Sequence, residues 1–166
     1  MKKENSNIIS LTDRQLDLIE RLGVFSTSNG MQPAPARIYG LLLVCDKLEL
    51  TFDEIRETLA YSKSATSNGI NFLLTNKKIS YVTKTGDRKR YFKTNVESWK
   101  DYVGEGFNYV HQYHLLMNEV VEVRTAETEN FNNSLQELTN FLGFVKEEIS
   151  RIFEKWENHE EKKNEN

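Results

Sequence analysis

The stretch of sequence that decides the fold is TFDEIRETLAYSKSATSNGINFLLTNKKISYVTKTGDRKRYFK, residues 51–93. Thr51 and Glu54 form a capping box, in which the two side chains satisfy free backbone N–H groups at the start of a helix. Ser62 is a good N-cap for a second helix, because its hydroxyl accepts a backbone N–H two or three residues further on. The spacing therefore predicts two consecutive helices joined by a short turn.

The second of these helices has two contrasting faces. Thr66, Ile70, Leu73 and Leu74 recur at steps of three and four residues and predict a buried face. The opposite face carries short hydrogen-bonding side chains and one cation, namely Lys63, Ser64, Ser67, Asn68 and Asn71. Side chains of these types bind base edges and phosphates when a helix lies in the major groove of DNA. We predict that this helix, with Thr66 included, contacts DNA.

A hairpin is predicted after the second helix. Residues 79–83 and 88–92 are rich in β-branched and aromatic side chains, and Thr85-Gly86-Asp87 supplies turn residues between them. The tip is strongly basic, and its candidates for DNA contact are Lys84, Arg88, Lys89 and Arg90. A helix-turn-helix followed by a basic hairpin is typical of a winged helix, in which the second helix reads the groove and the hairpin, or wing, contacts the backbone or minor groove.

Charge is distributed unevenly along the chain. The 166 residues include 22 Lys and Arg against 25 Asp and Glu, a formal net charge of −3. Residues 61–94 alone contain eight Lys and Arg against one acid, Asp87. A basic surface on an acidic body is the electrostatic pattern of a nucleic-acid-binding protein, although the overall acidity argues weakly against one. A solvated lysine-rich face is the alternative interpretation of the same charges.

The sequence upstream predicts two more helices. Thr12 caps the first, and we assign residues 1–30 to an N-terminal helix that contributes to dimerisation. Pro33 and Pro35 suit the first turn of the next helix, which is apolar around most of its circumference and is therefore predicted to be central and buried. Arg37, the one charge in its first half, either extends to solvent or reaches DNA or a carboxylate.

Three motifs stand in a fixed order along the chain. Residues 30–43 read GMQPAPARIYGLLL, residues 61–68 read YSKSATSN, and residues 86–92 read GDRKRYF. Motifs of these kinds in this order resemble the GbsR family of MarR-like bacterial transcription regulators, over roughly residues 16–94. The resemblance implies a dimeric winged-helix repressor, and some members of that family respond to small cations such as choline. It also implies that residues 31–94 form a winged helix-turn-helix DNA-binding domain.

The sequence departs from the family pattern within the second helix of the motif. Gly69 and Asn71 stand where family members often carry larger or basic residues. A glycine loosens a helix by up to about 1 kcal/mol. The operator sequence therefore does not follow from the resemblance.

The C-terminal part of the chain is predicted to be helical. Apolar residues recur at steps of three and four and indicate two long helices, about residues 98–131 and 134–160, with Ser134 and Glu137 as a capping box between them. A domain of this size leaves two such apolar stripes uncovered, so we assign residues 95–160 to dimerisation with a second copy. Residues 161–166 are predicted to be a disordered tail. The predicted fold class is mainly α (α+β).

Two clusters in the C-terminal part could bind a ligand or a metal. The aromatic candidates for a ligand site are Trp99, Tyr102, Tyr109 and Tyr113. Aromatic rings attract quaternary ammonium groups through cation–π interactions, although packing in a dimer interface is the favoured explanation. His111 and His114 have helical spacing compatible with metal binding, but no third ligand is evident, and we predict no metal. We predict no catalysis and no cofactor, because the sequence contains no P-loop, G-x-S-x-G or G-x-G-x-x-G motif.

The sequence also bears on the cellular location. A single cysteine, Cys45, permits no disulfide within one chain, and the polar N-terminus lacks the apolar region of a signal peptide. We expect a cytoplasmic bacterial protein that is nucleoid-associated when bound.

The combined prediction is a sequence-specific regulator of transcription, with repression favoured, that binds double-stranded DNA as a homodimer. Two alternatives remain open at this point. One is a regulator that senses a small-molecule effector, for example a small cation such as choline. The other is a winged-helix module that binds a protein. No membrane partner is expected.

Overall fold

The computed structural model describes residues 7–164, apart from the side chains of residues 102, 160–162 and 164. The described residues divide into two compact units, one that ends at Glu97 and one that begins at Ser98. Residues 7–164 are mainly helical with one small antiparallel sheet, which confirms the predicted fold class. No helix within the described range combines the length and the apolar character that crossing a bilayer requires.

The first unit follows the predicted order of elements. Its helices are α1 (Asp13–Ser28), α2 (Pro33–Val44), α3 (Phe52–Thr58) and α4 (Lys63–Thr75), and its strands are β1 (Leu50–Thr51), β2 (Ile79–Thr83) and β3 (Arg90–Thr94). The predicted capping box of α3 is confirmed. The Thr51 hydroxyl accepts the N–H of Glu54 at 3.3 Å, and the Glu54 carboxylate accepts the N–H of Thr51 at 2.8 Å.

Helix α2 lies at the centre of this unit, as predicted. The fully or nearly fully buried residues around Ile38 and Leu41 come from every neighbouring element, and include Ile19, Leu50, Ile55, Leu73, Ile79 and Phe92. Gly40 allows α1 to approach α2 closely, since an added Cβ would lie 3.3 Å from the carbonyl oxygen of Ile19. The core therefore connects α1, the helix-turn-helix and the sheet through one helix.

The sheet differs from the predicted hairpin in two details. Its strand order is β1-β3-β2, and β1 pairs with β3 through Leu50 opposite Phe92. A strand of two residues is too short to produce an alternating pattern, and the sequence therefore did not reveal β1. The second hairpin strand begins at Arg90, opposite Thr83, and not at Arg88 as predicted. The loop of the wing is accordingly longer and spans residues 84–89.

The second unit consists of two long helices whose boundary differs from the prediction. Helix α5 spans Trp99–Val123, a 3₁₀ turn spans Ala126–Thr128, and helix α6 spans Glu129–Asn164. The predicted break at residues 132–134 is wrong, because Ser134 lies inside α6 and its hydroxyl donates to the carbonyl oxygen of Asn130. The predicted capping box at Ser134 is therefore wrong as well.

The actual turn between α5 and α6 is closed by polar side chains. The Arg124 guanidinium donates to the Asn132 side chain at 2.6 Å, and the Asn132 amide donates to the carbonyl oxygen of Thr125 at 2.7 Å. At the other end, α6 continues to Asn164, so the predicted disordered tail is helical from residue 161 to residue 164. Residues 165 and 166, and residues 1–6, lie outside the described residues.

Candidate nucleic-acid interface

Helix α4 is positioned by its N-cap and its buried face. The Ser62 hydroxyl accepts the N–H of Ala65 at 3.2 Å, as predicted. Thr66 departs from its prediction as a DNA-binding residue, because its side chain is 0% exposed and its hydroxyl donates to the carbonyl oxygen of Ser62 at 3.0 Å. Thr66 therefore stabilises the first turn of α4 from inside the core and is not accessible to DNA.

The opposite face of α4, which we call the reading face, is exposed. Its members are Lys63, Ser64, Ser67, Asn68 and Asn71. Behind this face, Gly69 brings α4 against α2: an added Cβ would lie 2.6 Å from Ile38 Cδ1 and 3.3 Å from the backbone nitrogen of Pro35. Gly69 thus serves close packing between two helices, and the reading face projects from a rigid support.

The loop of the wing is shaped by its one acid. The N–H of Asp87 donates to the carbonyl oxygen of Lys84 at 2.9 Å, and Gly86 adopts a φ of +82° that closes the turn. The Asp87 carboxylate then accepts the backbone N–H of Lys89 at 2.9 Å and the Tyr91 hydroxyl at 2.5 Å. The bond from Tyr91 lowers the pKa of Asp87 below its usual value and raises the pKa of Tyr91.

The cations of the wing fall into two groups. Lys84 is held by two neighbours, since its ammonium lies 3.0 Å from a Glu49 carboxylate oxygen and 4.1 Å from the centre of the Tyr91 ring. The Arg90 guanidinium lies 4.7 Å from the centre of the Tyr81 ring. The side chains of Arg88 and Lys89 are exposed, and the described residues supply neither with an ion-pair partner.

The reading face and the wing border one groove of about 340 Å³. Helix α4 contributes Ser67 and Asn71 to its lining, and the wing contributes Arg88, Lys89 and Arg90. The rest of the lining is mixed and consists of Thr51, Phe52, Asp53, Ile70, Leu74 and Phe92. The structure therefore brings two of the predicted helix residues and three of the predicted wing residues to the same concave surface.

Solved proteins of related fold include transcriptional regulators. A crystal structure described only as a transcriptional regulator is similar with a TM-score of 0.67 and 19% identity, over 87% of this chain and 99% of that chain. Weaker similarity is found to S. aureus MepR in a DNA-binding conformation, with a TM-score of 0.41, 17% identity, and coverage of 78% and 93%. The adhesin competence repressor AdcR from Streptococcus pyogenes has a TM-score of 0.36 and 16% identity, over 82% of this chain and 99% of that chain.

No family model and no curated protein matches the sequence. The similarity at a TM-score of 0.67 supports the fold, and the winged-helix architecture predicted from the sequence is confirmed. The resemblance to GbsR regulators stays a prediction.

The three alternatives for Arg37 are resolved by an ion pair inside the first unit. Its guanidinium donates to the Glu20 carboxylate of α1 at 2.8–2.9 Å, so the arginine reaches a carboxylate and not DNA. The hydrogen bond from Arg37 lowers the pKa of Glu20 below its usual value of 4.5. Burial raises the pKa of the neighbouring Tyr61. Arg37 thus joins α1 to α2 beside the start of α4.

The aromatic ligand candidates do not form one cluster. Trp99 packs edge to face with Trp156 of α6 at 6.1 Å, whereas Tyr109 and Tyr113 stack on each other at 6.2 Å. Trp99 and Tyr109 are ten residues apart on a straight helix, a separation of about 15 Å. The side chain of Tyr102 lies outside the described residues. Trp99 therefore lies too far from Tyr109 and Tyr113 to share one aromatic cage with them.

His111 and His114 both lie on α5 and are half-buried, and His114 packs against Gly143 of α6. His114 Nε2 lies 3.0 Å from the side-chain nitrogen of Asn118, and an added Cβ at Gly143 would lie 3.2 Å from the same His114 atom. Within the described residues, His, Cys, Asp and Glu side chains form no group of three or more that could hold a metal ion.

Three residues that shape the wing were missed at the sequence level, namely Glu49, Tyr81 and Tyr91. Tyr81 and Tyr91 were treated only as strand residues. For Tyr81 the available signal was Arg90 on the facing strand, because such cross-strand pairs interact. Tyr91 offered no signal of this kind, since its cation, Lys84, lies in the wing loop. Glu49 gave no signal, since its contact with Lys84 joins the segment before β1 to the wing.

Proposed function

We propose that this protein is a sequence-specific regulator of transcription that binds double-stranded DNA through the reading face and the wing. The observation that carries the proposal is the groove in which Ser67 and Asn71 lie beside Arg88, Lys89 and Arg90. Short polar side chains on a helix suit base edges in the major groove. Cations on an adjoining hairpin suit the phosphate backbone or the minor groove. Base reading and backbone contact would then come from one side of the first unit.

A homodimer is part of the proposal, because α5 exposes an apolar stripe. Its members stand at steps of four and three residues and are Tyr109, Tyr113, Leu116, Val120 and Val123. The stripe is about 20 Å long, and an exposed apolar surface of this kind usually marks an interface. A twofold particle would place two reading faces in successive major grooves, about 34–36 Å apart. Repression is proposed from the resemblance to GbsR regulators.

Selection of bound duplexes from a randomised library, followed by fluorescence anisotropy over a salt series, tests the proposal. Arg88→Ala combined with Lys89→Ala should weaken binding to all sequences and reduce the salt slope by about two. The matched control is Lys146→Ala combined with Lys155→Ala, which removes the same charge from exposed positions of α6. A wing variant that keeps the slope of the parent would exclude the wing as a phosphate contact.

The reading face has a separate test. Ser67→Ala and Asn68→Ala remove exposed side chains without changing the net charge, so they should alter which sequences are bound while the salt slope stays constant. Selection with each variant would measure this change. Selected sequences identical to those of the parent would show that the reading face is assigned to the wrong residues.

Response to a small cation such as choline is a second proposal, and one observation favours it. Trp99 and Trp156 form an edge-to-face pair in which both rings remain partly exposed. An exposed indole face attracts quaternary ammonium groups. Calorimetry with choline should detect binding that Trp156→Leu abolishes, and absence of heat from the parent protein would contradict this proposal.

A further inference from the structure

The wing contains one acid, Asp87, which lies among the cations of the loop. Asp87 accepts a backbone N–H from Lys89 and the hydroxyl of Tyr91, both within the wing itself. A carboxylate among cations that contact phosphate would be expected to weaken DNA binding by repulsion. Its engagement in two hydrogen bonds indicates that it has a different role.

The contacts of Asp87 are the first in a series of side-chain contacts that crosses the wing. The Tyr91 hydroxyl donates to Asp87, and the Lys84 ammonium lies over the Tyr91 ring, 4.1 Å from the ring centre. Lys84 in turn pairs with Glu49, which immediately precedes β1. Because β1 pairs with β3 through Thr51 opposite Tyr91, this series of contacts is attached to the same sheet at both of its ends.

We propose that Tyr91 is a positioning residue for DNA binding, which together with Asp87 and Lys84 holds the wing loop in the shape that presents Arg88 and Lys89. Asp87 then strengthens DNA binding in spite of its charge. Lys84 is a structural cation and makes no phosphate contact, which revises its assignment from the sequence. This inference rests on the proposed DNA-binding function.

The geometry of the loop supports this division of roles. Residues 84–89 contain no strand pairing, so the shape of the loop depends on the turn at Gly86 and on the bonds of Asp87. Arg88 and Lys89 lie between Asp87 and the start of β3, and the N–H of Lys89 is bonded directly to the carboxylate. Without those bonds the two cations would occupy many orientations. The conformational entropy lost when they become ordered on DNA would then oppose binding.

Tyr91→Phe is the sharpest test, because it removes one hydroxyl and no charge. We expect binding to weaken by about three- to tenfold, the value of one intramolecular hydrogen bond, while the salt slope stays that of the parent because Arg88 and Lys89 still reach phosphate in the complex. Tyr81→Phe is the matched control: it makes the same change on the facing strand, where the described residues show no partner for the hydroxyl. It should bind as the parent does. Equal weakening by both variants would indicate direct hydroxyl contacts with DNA and would overturn the proposal.

Asp87→Ala separates positioning from simple repulsion. Removal of the acid should strengthen binding if charge alone matters, whereas the proposal expects weaker binding. Spectrophotometric titration without DNA supplies an independent readout, since the raised pKa of Tyr91 should return toward the ordinary tyrosine value in this variant. Tighter DNA binding by the Asp87 variant would refute the proposal.

Lys84→Met and Arg88→Met complete the experiment. Both remove one cation and keep an unbranched side chain, but only the second should reduce the salt slope, by about one. Equal reductions would show that Lys84 contacts phosphate. A parent protein without salt-dependent binding would instead refute the proposed function itself, so the two failures are distinguishable.

Discussion

Gly69→Ala tests whether the reading face is supported by close packing between α4 and α2. The new Cβ would lie 2.6 Å from Ile38 Cδ1 and 3.3 Å from the Pro35 nitrogen. Ile38 is fully buried, so its displacement disturbs the core, and overpacking of this kind costs about 1–3 kcal/mol. Alanine recovers about 1 kcal/mol through its better helix propensity. The net expectation is a loss of up to about 2 kcal/mol of unfolding free energy.

Urea unfolding followed by circular dichroism would measure this loss. Gly104→Ala is the matched control, because an added Cβ there meets no atom within 4 Å beyond the backbone of its own helix. That variant should gain up to about 1 kcal/mol from propensity alone. The reasoning is refuted if Gly69→Ala raises the free energy of unfolding as much as Gly104→Ala does, because α4 would then not be packed tightly against α2.

Three further predictions concern the dimer, a turn and an ion pair. Leu116→Glu should convert the proposed dimer to monomers in light scattering by placing a charge in an apolar interface. Ala60→Gly should raise the melting temperature, with a gain of about 0.5–1 kcal/mol, because Ala60 adopts a φ of +51°. The lowered pKa of Glu20 means that its pair with Arg37 stabilises the fold above pH 4.5 and is lost as the pH falls through the lowered value. Glu20→Gln should therefore reduce the loss of stability on acidification, measured by urea unfolding.

The order of the elements in the first unit was predictable because their signals are local. The capping box at Thr51 and the N-cap at Ser62 involve side chains three residues from their partners, and both are present as expected. Apolar residues at helical spacing marked the buried face of α4 in the same way. Such interactions join residues at fixed, short separations in the sequence, and they can therefore be predicted without knowledge of the tertiary structure.

The errors arose where contacts over a longer range decided the outcome. The turn after α5 is fixed by Arg124 and Asn132, eight residues apart, while a plausible N-cap at Ser134 was overridden by continuous helix. The wing loop is different, because Asp87 bonds Lys89, only two residues away, and the prediction did not include this turn contact when it started the second hairpin strand at Arg88 and not at Arg90. Thr66 was assigned to DNA although its spacing already placed it on the buried face. In that case the side-chain chemistry was given more weight than the periodicity.

The basic surface is smaller than the sequence count indicates. Residues 61–94 carry eight cations, but Lys84 is paired with Glu49. The exposed cations on the reading face and the wing that remain for phosphate contact are Lys63, Arg88, Lys89 and Arg90. Four cations in each protomer of the proposed dimer correspond to a salt slope no steeper than about −7 on duplex DNA. A steeper slope would require cations at the base of the hairpin to reach the backbone as well, and the interface would then extend beyond the groove between α4 and the wing.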